Sequence, residues 1–133
     1  MCLFCQIQVH LVEFIGPSRA LALPGFHSFS GADNNAAFFN KGKKHAWNVW
    51  NTYPAATKLF RMLSTPIEDA DELKSCDRVL HGFVNRLYGI KDVNMTVDEA
   101  RLESIVYGGK DFTNIPPSSD ALNQKVRRAA YQV

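Results

Sequence analysis

The sequence predicts a mainly α-helical protein, one N-terminal strand followed by five or six helices. Three observations carry this. Apolar residues recur at steps of three and four along most of the later chain. Several of those stretches open on an acid or hydroxyl and close on glycine. Period-two alternation occurs only near the start, and a single strand cannot form a sheet by itself. With 133 residues, 46% hydrophobic and 11% aromatic, the chain has enough material for one domain with a core.

Residues 3–15, LFCQIQVHLVEFI, set Gln6, Gln8 and His10 against Ile7, Val9 and Leu11, the alternation of a strand. Gly16-Pro17-Ser18 breaks it. SRALALPGFHSFSG reads as helix around Pro24, with Gly31 to Gly42 a loop whose turn formers are Asp33, Asn34 and Asn35. KKHAWNVWNTY puts Ala46, Val49, Trp50 and Tyr53 on one helical face. Pro54 suits the start of the next helix, PAATKLFRMLST, with Leu59, Phe60 and Leu63 inward. The clearest pattern is IEDADELKSCDRVLHGFVNRLYG. It opens on acids, ends on Gly89 and spaces Leu73, Cys76, Leu80, Phe83, Val84 and Leu87 by helical steps over 70–88. TVDEARLESIVYGG pairs Thr96 as cap with Glu99 and stops at Gly108. After an extended Asn114-Ile115-Pro116-Pro117, Ser118 or Ser119 caps a last helix with bases toward its end.

The net charge, +2, says little about partners, but its distribution says more. From Phe14 to Ile67 the only acid is Asp33, against Arg19, Lys41, Lys43, Lys44, Lys58 and Arg61. From Glu68 to Glu103 there are nine acids against five bases. The three cysteines, Cys2, Cys5 and Cys76, do not form a secreted disulfide framework. Cys2 and Cys5 have only His10 nearby, so no zinc set is read there. His27 and His81 fall on apolar faces and read as satisfied core histidines. No Ser-His-Asp or Cys-His grouping and no dinucleotide fingerprint is present. No stretch is long enough to span a membrane, and the start lacks a signal peptide's basic region, so an intracellular setting is expected, the nucleus included.

One stretch concentrates chemistry. NKGKKHAW sets Lys41, Lys43, Lys44 and His45 around Gly42 at the start of a helix. Phosphate backbones are held where lysines, backbone amides and a helix N-terminus converge. The plainer reading is a glycine loop with solvated lysines. Asp33, in GADNN, has a plain reading too, as a turn former or helix cap.

The block ALPGFHSFSGADNNAAFFNKGKKHAWNVW resembles a block of uncharacterised, transposon-associated animal proteins. Their pattern runs Leu-Pro-x-(Phe/Leu)-His-Ala-(Phe/Ile)-Thr-Gly-Cys-Asp-Thr, then Phe-x-Gly-Lys-Gly-Lys-Lys-x-Ala. RVLHGFVNRLYG, VDEARLESIVYGG and IPPSSDALNQKVRRAAYQ resemble later blocks of that family in the same order, from about Val12 onward. The family block is in turn similar to the flap-endonuclease branch of PIN-like nucleases. This implies that Asp33 is a metal ligand and that Lys41, Gly42, Lys43, Lys44 and His45 form a phosphate clamp, with Mg²⁺ or Mn²⁺ in the parent protein and none here. Ala32, Asn34 and Ser30 depart from the pattern, and Asn40-Lys41-Gly42 stands for Gly-Lys-Gly, which narrows the turn's backbone freedom.

The resulting expectation is a single partial domain over 1–133, the helical C-terminal part of an α/β PIN-like fold. Residues 16–63 form the nuclease-like segment and 67–133 a helical extension. It reads as a fragment or degraded copy that binds duplex DNA without sequence preference and does not cut it alone. Lys110 and Lys125 read as bystanders. The alternatives are a structural helical module with no ligand, and a protein-interaction domain using the acidic helix 68–89.

Overall fold

A computed structural model describes residues 16–31, 38, 41–65, 71, 74–92, 94–107 and 115–132, the last two in backbone only. The strand expected over 3–15 lies outside these residues. So do Asp33 and its turn, Leu73, and the Gly108 stop. Among the described residues there are six helices and no strand: α1 Pro17–Ser30, α2 Lys43–Thr52, α3 Ala56–Leu63, α4 Asp77–Leu87, α5 Val97–Val106 and α6 Ser119–Gln132. The protein is mainly α, as its periodicity predicts.

α1 and α3 make the most extensive helix contact. Pro24 sits inside α1, where it removes an amide donor and crowds the preceding turn. The neighbouring Gly25 amide donates to Ser64 Oγ at 2.8 Å, and that hydroxyl donates to the Phe60 carbonyl at 2.8 Å. A Cβ on Gly25 would overlap the Phe60 carbonyl oxygen, so only glycine lets the two backbones come this close.

That approach places an aromatic core. Phe60 meets Phe26, Trp50 and Phe83 edge-on, at centroid distances of 5.4, 5.0 and 5.1 Å. Phe26 stacks on Trp50 at 5.0 Å, and all four rings are buried. Edge-to-face pairs set the positive rim of one ring against the negative face of another, which adds to the gain from burial. Arg19 closes one side of this core. Its guanidinium lies 4.5 Å from the Trp47 ring centroid and 4.4 Å from that of Trp50, and donates to Asn51 Oδ1 at 2.7 Å. Its Nε and Nη2 have no hydrogen-bond partner, and the indole faces provide the compensating attraction.

The expected inward faces hold. Ala46, Val49 and Trp50 of α2, Leu59, Phe60 and Leu63 of α3, and Leu80, Phe83, Val84 and Leu87 of α4 are all buried. The long helix expected over 70–88 is broken. Asp71 and Lys74 are helical, Ser75 and Cys76 form a turn, and α4 starts at Asp77. The turn keeps Cys76 buried, with its thiol 3.2 Å from Met62 Sδ on α3. Periodicity registers which residues face inward but not a short turn that preserves that facing.

Local signals end the helices as read. Gly89 has φ 80°, its amide donates to the Arg86 carbonyl, and Ile90 N–H donates to that of Asn85 at 2.9 Å, the paired bonds of a glycine-terminated helix. Thr96 Oγ1 accepts from Glu99 N–H at 3.2 Å and donates to Glu99 Oε1 at 3.1 Å. Ser118 Oγ accepts from Ala121 N–H at 3.3 Å. Asp98 on α5 adds a cap from outside: its carboxylate accepts the Ser119 amide at 2.9 Å and hydroxyl at 2.6 Å. These two bonds hold the Asp98 carboxyl below its ordinary pKa. The bases of α6, Lys125, Arg127 and Arg128, sit in its middle and not in its last turn. Among the described residues no helix is long and apolar enough to cross a membrane.

Gly25→Ala is expected to lower stability by about 1–3 kcal/mol, the range for an added methyl in a packed contact. Urea unfolding checks it, and an unchanged midpoint would mean that α1 and α3 separate without loss.

Candidate nucleic-acid interface

α2 begins with no local cap. Its N-cap is Gly42, no side chain among the described residues accepts from its first amides, and no acid occupies its first turn. The early N–H groups of a helix lack partners within it and carry its positive pole. Gly42 has φ −75° and ψ 169°, which any residue adopts, and a Cβ there would meet nothing within 4 Å. Neither folding strain nor crowding within the described protein calls for glycine here. The space beside it is open.

The lysines around this opening differ in their duties. Lys43 reaches back to the end of α1. Its ammonium donates to the His27 carbonyl at 3.0 Å and to Ser30 Oγ at 2.9 Å. It thus caps the negative pole of α1, where cations are stabilising. An ammonium has three donors, so two of them are engaged. Partial burial holds the Lys43 pKa below its ordinary value. His45 has a parallel role, with Nε2 2.8 Å from the Leu87 carbonyl at the end of α4. Lys41 lies 4.9 Å over the Tyr88 ring. Lys44 is exposed. The segment expected to bind phosphate therefore also pins α2 to the ends of two other helices.

Asp33, the expected metal ligand, lies outside the described residues. Among the described residues no three of His, Cys, Asp and Glu come together as a metal-holding group. The two histidines read as core residues diverge. His81 accepts the Val97 amide at 3.0 Å through Nδ1 and is half-buried, whereas His27 is exposed. His27 sits in the last turn of α1, on the side the neighbouring helices leave uncovered. Two open grooves lined by described residues, of about 380 Å³ beside α3 and about 420 Å³ beside α5, lie elsewhere.

Lys125, read as a bystander, lies close to this region. α6 packs on α1, with Ser28 Oγ donating to the Ala129 carbonyl at 2.9 Å. This brings the Lys125 ammonium 4.5 Å over the Phe38 ring and close enough to Lys43 for mutual repulsion. Burial, then repulsion from Arg128 and Lys43, pushes the Lys125 pKa down to about 8. No local pattern marks Lys125 apart from Arg127 or Arg128. Only the seating of α6 selects it.

Set against known proteins, the chain matches no family model, no curated protein and no solved structure.

The depressed pKa of Lys125 has a sign. The unfolded chain holds this proton up to the ordinary lysine value of about 10.5, the folded one only to about 8. Between those values the unfolded state binds more protons, so raising pH favours the fold. Below about 8 the penalty of the buried charge is fully present. The stability difference between the parent and Lys125→Met should shift in the parent's favour from pH 7 to pH 10, read by urea unfolding at each pH. A difference independent of pH would show that Lys125 titrates as an exposed lysine.

Proposed function

We propose that this chain binds the phosphate backbone of duplex nucleic acid without sequence preference, through the opening of α2. The observation that carries it is the uncapped N-terminus of α2, open beside Gly42, free of acids in its first turn and flanked by Lys41, Lys43 and Lys44. Amides, dipole and lysines then act on one anion together. The block resemblance of residues 22–50 adds to this reading. It makes the chain the helical portion of a mobile-element-derived, PIN-like protein, with Asp33 as a ligand of Mg²⁺ or Mn²⁺ in the parent. The rival is a structural module without ligand, favoured by the Lys43 and His45 bonds to helix ends.

Fluorescence anisotropy with a labelled DNA duplex decides between them. Non-specific binding falls around 10⁻⁴–10⁻⁶ M, and three phosphate contacts give a log–log salt slope of about −2.7. Because Lys43 also caps α1, the telling variants are Lys44→Ala, whose side chain is exposed, and Gly42→Ala, whose added Cβ meets nothing within 4 Å. Both should unfold like the parent and bind less well. Unchanged binding would leave the lysines as a solvated helix start and the module reading in place.

A second outcome concerns cleavage. Hydrolysis through two metal ions needs carboxylates from several elements, and a single Asp33 does not supply them. Residues 1–133 with Mg²⁺ or Mn²⁺ should leave flap and duplex DNA uncut in a gel assay. Metal-dependent cutting that disappears in Asp33→Ala would restore a full active site.

A further inference from the structure

The C-terminal end of α1 gathers cations from distant parts of the chain. Lys43 arrives from α2 and holds the His27 carbonyl and Ser30 Oγ. Lys125 arrives from α6 and lies over Phe38. Phe38 and Tyr88 meet edge-on at 6.5 Å, and Lys41 lies over Tyr88. Two ammonium groups, those of Lys125 and Lys41, thus lie over one pair of rings, and that of Lys43, at the start of α2, lies 5.9 Å over the Phe26 ring. The rings hold the lysine stems in place by contact with their faces, so the charges are positioned rather than free to spread. Lys43 and Lys125 repel each other, and a shared anion relieves such a pair more than it attracts either alone.

We propose that Lys125 of α6 is a further contact for the phosphodiester backbone, completing with Lys43 and the first turn of α2 a site built from two helices. The inference rests on the phosphate-binding reading above and adds a residue, and a pH dependence, that α2 alone does not supply. Among the described residues, the charged and titratable groups around Lys125 include Lys43 at the start of α2, Arg128 on its own helix, Lys41 and Tyr88 beyond Phe38, and His27 at the end of α1. Lysine contacts phosphate in its protonated form. With its pKa at about 8, Lys125 is mostly charged at pH 7 and mostly neutral at pH 9. Binding a phosphate therefore takes up a proton at the upper pH.

The test is duplex affinity by anisotropy at fixed low salt, from pH 7 to pH 9, for the parent, Lys125→Gln and Lys125→Arg. The parent should weaken by about tenfold over this range, as the protonated fraction falls around a pKa of about 8. Lys125→Gln should bind at pH 7 as weakly as the parent does at pH 9, with a flat profile. Lys125→Arg stays charged throughout and should bind at pH 9 as the parent does at pH 7. This rescue separates a contact from a fold effect, since a purely structural role predicts no change of profile. If Lys44→Ala and Gly42→Ala weaken binding while Lys125→Gln matches the parent at every pH, this inference falls and the α2 reading survives. If the parent binds no duplex at any pH, both fall.

Discussion

The close passage of α1 over α3 is the constraint on which the remaining packing depends. Gly25 lets the backbone of α1 reach the Phe60 carbonyl, and Ser64 ties the two with a hydroxyl that accepts from one helix and donates within the other. Pro24 makes this workable. A proline inside a helix loosens the bond pattern one turn back, and the adjacent amide finds its acceptor in the neighbouring helix. Once the axes are this close, Phe60 must lie among Phe26, Trp50 and Phe83, and the end of α1 lies against both α2 and α6.

A second regularity lies at the helix ends. Each helix leaves unpaired groups at its termini, and side chains from elsewhere meet many of them here. Lys43 serves the end of α1, His45 that of α4, His81 the first amide of α5, and Asp98 that of α6. The Lys43 ammonium sits at a negative pole and the Asp98 carboxylate at a positive one, the favourable sense in both cases. The start of α2 stands apart. It supplies caps to other helices through Lys43 and His45 while receiving no side-chain cap from the described residues. The same residues thus fasten the fold and surround a positive pole that faces outward.

This double duty bears on the stretch from Phe14 to Ile67, whose only acid is Asp33. Carboxylates near residues 41–44 would compete for Lys43 and withdraw it from the end of α1, so their scarcity also serves packing. A charge pattern that suits phosphate also suits the capping of α1, and the sequence pattern does not separate the two. The geometry does separate the residues: Lys43 is engaged twice, whereas Lys44 is exposed and Gly42 borders open space.

The sequence by itself determined the helices, their inward faces and several of their ends. Thr96 with Glu99, Ser118, and Gly89 act within a few residues, so their chemistry is legible in a short window. Helical spacing likewise marked Leu80, Phe83, Val84 and Leu87 as core, because one face of one helix is a local property. The turn at Ser75 and Cys76 escaped that pattern, since it keeps the facing while interrupting the helix. Only the tertiary structure decided which lysines are engaged, that His27 is exposed while His81 is bonded, and that Lys125 stands beside Lys43. Those outcomes depend on how α6 and α2 meet the end of α1, contacts between residues far apart in the chain that no spacing rule reaches.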